Sequence, residues 1–561
     1  MHSNYWNFSG KWISSIQQDN LYYSAMRRPS TDTLLFFVAL AISFLPLVFC
    51  DYIVTSDGPC HFYNSHILVS WLLEGKKDFF LPFLQLNKFL DPNWITNAVQ
   101  MPLLKLFPVI WAEKFFFALY LLVFVFGFRK VVKEINPNAV FLSGIGILFA
   151  WNYLLMKGFH NNAWSIAIWF WVLAFWIKSL RTPSVYTYAM ITFLMMALYL
   201  AHPVGLVFAF LSVGCVVLGY GLYHFRDKGW KSTIYFYLAE AGKLILCSAV
   251  PIYLFISFYL RREWSKEANI ATFKVIANEL LHLKSLILLS TKEEPFIMVL
   301  VALILFIAVW FVVSRIRSGG WKVYDGLLLL FLASLVVVFN PPSSISGGLE
   351  IGVRLGMFPF FCLLFWMATL DFPPQVRVAV SVVVIGLASG LMYLRLPIHQ
   401  KASDYASEIV TSIDSIGDKS TVLVLNYDWA GKTPDGGIIS DRAWLFVHVD
   451  CYLGAYKDLV ISDNYEANFW YFPLVERWET NMYMQTDKDR INFDNRPPRA
   501  DMNSYKRRTG QYIDYVLMLS YNDEYAGHPY TGEIFQQLAA EYKPQFTSAN
   551  RRAILYKRVM Y

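Results

Sequence analysis

Residues 182–225 run for 44 positions without a formal charge. About 20 apolar residues cross a bilayer core of about 30 Å as a helix, because inside lipid each backbone N–H and C=O must be satisfied within the segment. A run that long holds two spans. The break is expected at Ala201-His202-Pro203, where proline interrupts helical hydrogen bonding. Further apolar runs at 33–50, 109–128, 139–156, 163–177, 244–260, 295–314, 326–338, 355–370 and 378–394 bring the expected total to eleven. Residues 1–32 contain no apolar core of a cleaved leader, so 33–50 reads as a signal anchor.

Composition agrees. Hydrophobic residues make up 56% of the 561 positions and charged residues 16%, against about 45–50% and about 25% in soluble domains. An ordinary cytosolic enzyme, a disordered chain and a disulfide scaffold are thereby excluded. Charge is also divided: residues 1–400 hold 30 Lys+Arg against 19 Asp+Glu, and residues 401–561 hold 18 against 22. Cytoplasmic loops carry excess Lys and Arg. With Lys11, Arg27 and Arg28 inside, each second loop should be basic. The loops bearing Arg129/Lys130/Lys133, Lys178/Arg181, Arg226/Lys228/Lys231, Arg315/Arg317/Lys322 and Arg377 fit. This alternation places 51–108, 261–294 and 396–561 on the outer face and predicts a multi-pass plasma membrane protein, in bacteria an inner-membrane one.

The fold class expected is mainly α, a polytopic membrane helix bundle with a C-terminal extracytoplasmic α/β domain. Residues 1–32 form a cytoplasmic segment, 33–397 the membrane domain with its outer loop 51–108, and 398–561 the soluble domain. In that domain, 420–425 and 515–520 read as buried strands, 533–542 as a helix and 553–559 as another strand. Residues 403–416 have the spacing of a helix feeding the first strand. The six cysteines form no framework; Cys60 and Cys451, in polar segments, pair only if the fold brings them together.

Ionisable groups inside a bundle are costly and mark function. Here the middles of the spans are nearly free of them, and the polar exceptions gather at the outer ends. The segment Asp51 to Asn64 contains Asp57-Gly58-Pro59-Cys60-His61, followed by an apparent surface helix over 62–73. A carboxylate at Asp57 could take a proton from a hydroxyl nucleophile, with His61 four residues on. The plain alternative is a helix cap, Asp57 preceding Gly-Pro in the first turn. Asp91-Pro92-Asn93 is a turn signal and a lesser candidate for substrate binding. His160, Asn161 and Asn162 follow Gly158 at one outer tip, and His202 stands at another. Arg354 at the mouth of span ten could clamp a phosphate bidentately, or pair with Glu350 one helical turn away. Arg261, Arg262, Lys266 and Lys292 add positive field on the same side. Asp487-Lys488-Asp489 has the spacing of a metal-binding pair but follows no buried strand. Glu113-Lys114 reads as an interfacial ion pair. No nucleotide-binding loop or nucleic-acid motif occurs in a supporting context.

A signal anchor, an outer loop opening on Ser56-Asp57-Gly58-Pro59-Cys60-His61-Phe62-Tyr63-Asn64, many spans and an extracytoplasmic α/β domain together resemble the GT-C-fold glycosyltransferases. The likeness is to the polyprenyl-phosphate-sugar users related to protein O-mannosyltransferases and to the lipid A aminoarabinose transferase. The resemblance implies transfer of a sugar from a polyprenyl-phosphate donor to a glycan, lipid or protein hydroxyl on the outer face. It implies Asp57 as the catalytic carboxylate and Arg354 as a contact to the lipid phosphate. His61, His160, Asn161, His202, Asp91 and Glu350 complete the candidate site. The second outer turn departs from the family, where many members carry acidic residues; this leaves a divalent metal cofactor open. The implied partners are the lipid-linked donor, membrane lipids and the acceptor, with no nucleic acid. The competing class is non-catalytic: a lipid-linked-glycan transporter, an assembly scaffold or an inactive relative. A transporter should show pseudo-symmetric halves with broken spans near mid-bilayer, and no such symmetry is visible.

Overall fold

The computed structural model describes residues 31–261, 273–319, 321–340, 354–433, 436–486 and 497–559. Seven helices among these are long and apolar enough to cross a membrane, and four shorter apolar helices accompany them. Together they fall on the eleven expected spans, so the chain is a multi-pass membrane protein. The break at His202 is real. Val185–Ala201 ends there, His202 is extended (φ −163°, ψ 139°), and Pro203 starts the next helix with its fixed φ. That helix, Pro203–Leu260, holds two spans joined at a kink where Gly229 takes φ +71°. Residues 137–156 cross as three short helical pieces and are almost wholly buried in the bundle.

The last span does not stop at 394. One helix runs Pro374–Val410, through Pro397, so the division drawn at 397/398 falls inside a continuous rod that carries the C-terminal domain. Arg395, within this helix, is buried against Glu293. Beyond it lies a five-stranded sheet ordered β3-β2-β5-β7-β6. Strands β2 (Ser420–Asn426), β3 (Leu459–Ile461) and β5 (Tyr515–Leu519) are parallel. Strands β6 (Tyr542–Thr547) and β7 (Ala553–Arg558) are antiparallel. The fully buried pattern of β2 and β5 is what a parallel sheet covered on both faces requires.

Loop 51–108 is the clamp between bundle and domain. The expected surface helix is a correction: Gly58–Leu68 is buried at every position except His66. It packs on Cys451–Tyr456 of the C-terminal domain. Tyr63 donates to Leu459 O (2.9 Å) and accepts from Ile461 N (3.0 Å), which satisfies the open edge of β3 and blunts it. Asn64 and Asn464 exchange amide hydrogen bonds at 3.0 and 2.8 Å. Downstream, β1 (Leu84–Leu86) pairs antiparallel with β4 (Leu474–Glu476). Glu113 is a second correction. It leaves Lys114 and accepts from Tyr452 Oη (2.6 Å) and Ile53 N (3.0 Å), joining span two to the loop and the domain. The domain is thus seated by hydrogen bonds that depend on this register.

Candidate active site

The clamp encloses a cavity of about 840 Å³ between the bundle and the C-terminal domain. Asp57, His61, His160, Asn161, His202 and Arg354 all line it. Asp91 does not: it is fully buried in a two-armed ion pair with Arg261 and receives a further bond from Asn87 (3.2 Å). That pair holds the loop to the end of the Pro203–Leu260 helix and uses up the Arg261 charge. Glu350, Arg262, Lys266 and Asp487-Lys488-Asp489 lie outside the described residues.

Asp57 is positioned by backbone. Ser56 N donates to Met156 O (3.0 Å) and Asp57 N to Lys157 O (3.3 Å), so the loop lies beside the turn that precedes His160. Gly158 makes this contact possible. Its φ is +79°, and a Cβ there would sit 2.5 Å from Asp57 N, so no other residue fits without displacing the carboxylate's backbone. Gly58 has a similar duty, since its Cβ would meet His160 Cε1 at 2.9 Å. The capping reading fails in its geometry: Asp57 occupies the cap position but its side chain bonds no helix N–H. The carboxylate is 15% exposed and faces His448 Nε2 at 3.9 Å.

His448 was not foreseen. It comes from the C-terminal domain, donates Nδ1–H to Asp463 Oδ2 (2.9 Å) and stacks on Tyr465 at 4.7 Å. Burial alone would lower this imidazole, but Asp463 and then Asp57 reverse that, and its pKa lies above the usual 6.5. Burial pushes the Asp57 carboxyl above the ordinary range; His448 and Lys157 pull part of the way back. The result is a proton acceptor opposite a cation-forming partner.

His61 forms a second carboxylate–imidazole unit. Its Nε2 donates to Gly158 O (2.9 Å) and its Nδ1 meets Glu466. Desolvation opposes the imidazolium, yet the Glu466 charge wins and raises the pKa. Glu466 also accepts from Asn64 (2.9 Å). His61 therefore supports the loop from below while its ring stacks on His160 at 5.1 Å.

On the membrane-bundle side, His202 Nδ1 lies 3.2 Å from Val204 N and 3.3 Å from Asn162 Nδ2. Both are donors, so Nδ1 is the acceptor and the ring proton sits on Nε2. That Nε2 stands 3.3 Å from Arg354 Nη1. Two donors thus converge where an anionic oxygen would satisfy both. The guanidinium carbon lies over the Phe159 ring, 4.1 Å from its centroid. Asn161 accepts from Thr96 N (3.0 Å), fixing the start of the 95–106 helix. His160 Nδ1 and Asn162 Oδ1 are buried polar atoms with no hydrogen-bond partner among the described residues.

Among the described residues no three His, Cys, Asp or Glu side chains converge as a metal site. The acids here are spoken for differently: Asp463 and Glu466 each serve an imidazole.

No protein-family model and no curated protein sequence matches the chain. Solved structures do. The crystal structure of ArnT from Cupriavidus metallidurans in the apo state aligns with TM-score 0.53 and 12% identity, over 94% of this chain and 97% of that one. The same protein bound to undecaprenyl phosphate aligns with TM-score 0.53 and 13% identity over the same shares. The chain shares the ArnT fold over 94% of its length, helix bundle and C-terminal α/β domain included.

Proposed function

We propose that the chain is a GT-C-type glycosyltransferase that moves a sugar from a polyprenyl-phosphate donor to an acceptor hydroxyl, on the extracytoplasmic face of the membrane. The observation that carries the reading is the convergence, in one cavity, of a base-like carboxylate (Asp57) and a donor pair suited to phosphate (Arg354, His202). The ArnT neighbour bound to undecaprenyl phosphate shares the fold and lends support for the donor class.

The chemistry follows from charge. The acceptor oxygen attacks the anomeric carbon, its proton passes to an Asp57 oxygen, and the bond from that carbon to the phosphate oxygen breaks. Negative charge then grows on the departing polyprenyl phosphate, where Arg354 and His202 Nε2–H stabilise it. Asp463 favours the imidazolium of His448, whose charge in turn favours the ionised form of Asp57 against its burial. His61, Glu466 and Gly158 are positioning groups for the Asp57 loop.

The test is direct. Purified protein in detergent is expected to bind undecaprenyl phosphate by native mass spectrometry, and Arg354→Ala to weaken that binding at least tenfold. Cells lacking the chain should accumulate a polyprenyl-phosphate sugar that the wild-type gene clears. Absence of binding together with an unchanged lipid-linked sugar profile would overturn the reading.

A further inference from the structure

We propose that Cys60 and Cys451 are joined by a disulfide in the mature protein, a covalent tie between the Asp57 helix and the C-terminal domain. Their sulfurs lie 3.0 Å apart across 391 positions of sequence, about 1 Å longer than the bond of about 2.05 Å. Both are wholly buried, and both point at Asp463 O, at 3.5 and 3.0 Å. No other pair of sulfurs among the described residues makes such a contact. The two helices that carry them, Gly58–Leu68 and Cys451–Tyr456, already pack closely, so closing the bond asks little of the backbone.

The location gives the bond a purpose. Cys60 is three residues after Asp57, and Cys451 is three residues after His448. The tie therefore fixes the two partners of the 3.9 Å Asp57–His448 contact to each other, one from the bundle side and one from the domain. The bond forms by thiol–disulfide exchange as the domain folds onto the loop: two thiols give up two protons and two electrons to an external protein or small-molecule disulfide, which leaves as a dithiol. Burial afterwards keeps both sulfurs from reductant, marking a structural bond rather than a catalytic one. The inference rests on the extracytoplasmic placement of the domain, since disulfides persist in oxidising compartments.

The experiment is alkylation of the full-length protein under denaturing conditions without reductant, followed by digestion and mass spectrometry. A peptide linking Cys60 to Cys451 is expected, resolving into two alkylated peptides after dithiothreitol. Complete alkylation of both cysteines without reductant overturns the proposal. A separate Glu533→Cys variant, at a half-exposed position, labelled in intact cells with an impermeant maleimide, tells the two failures apart. Labelling with free Cys60 and Cys451 thiols sinks the bond alone; no labelling sinks the placement and the bond with it. Reductant present throughout the melt reaches the bond once unfolding exposes it, and should lower the wild-type melting midpoint by roughly 3–5 °C while leaving C60S/C451S unchanged. Equal sensitivity of the two proteins contradicts the tie.

Discussion

Two carboxylates at the end of the bundle that carries the C-terminal domain have opposite surroundings. Glu293 is fully buried and answered on every side. Leu288, Leu289 and Ser290 donate backbone N–H groups at 2.9–3.2 Å, and Arg395 adds two charged bonds at 2.9 and 2.7 Å. Asp57 is 15% exposed to a cavity, bonds no helix N–H, and looks at His448 across 3.9 Å. An acid with its charge satisfied in place holds structure together. One at a cavity wall, met by His448 and the Tyr465 hydroxyl rather than by backbone N–H groups, retains affinity for a proton. Asp91, doubly bonded to Arg261, belongs with Glu293.

The contrast can be broken by substitution. Glu293→Gln removes the charge that Arg395 needs in a buried site. It should cost about 3–5 kcal/mol of stability, read as a lower melting midpoint in detergent, while transfer per folded molecule stays near wild type. A stable Glu293→Gln protein would erase the distinction. Arg354→Ala should keep its fold and lose transfer by about 10²–10³-fold, measured as uncleared lipid-linked sugar. Gly158→Ala sits between the two classes. Its Cβ would collide with Asp57 N, so about 1–3 kcal/mol of strain should appear together with a fall in transfer, because the base moves.

The smallest effect is a slope with pH. His61 and His448 both have raised pKa values, so the stability they add is complete below about 6.5 and is lost as pH rises through their folded values. Asp57, also raised, acts with the same sign. The melting midpoint should therefore decline from pH 6 to pH 9, and His448→Asn should flatten part of that decline. A midpoint that rises over this range would contradict the charge assignments.

Much of this architecture was legible in the sequence, because a charge-free run of about 20 residues has few alternatives in water or lipid. The bundle's wall of the cavity was legible for the same reason: His160, His202 and Arg354 are conspicuous against apolar neighbours. The domain's wall was not. His448, Asp463 and Glu466 are ordinary residue types in a soluble domain, and only the apolar stretch around His448 hinted at burial. Asp91 misled because a turn signal says nothing of a cation 170 positions away. The boundary at 397/398 was not legible, because the helix Pro374–Val410 continues through Pro397 into the domain. The short strands β1, β3 and β4 are three residues each and are made by pairing across the chain, not by local pattern.

If Asp57 is the base and Glu293 a structural tie, changing Asp57 should stop transfer without unfolding the protein. Asp57→Asn keeps the side chain's size and removes its basicity. Cells carrying that variant should accumulate the lipid-linked sugar as the deletion does, with transfer down by about 10²–10⁴-fold. The purified variant should melt within a degree or two of wild type and still bind undecaprenyl phosphate. Wild-type transfer by a folded Asp57→Asn protein would contradict the account.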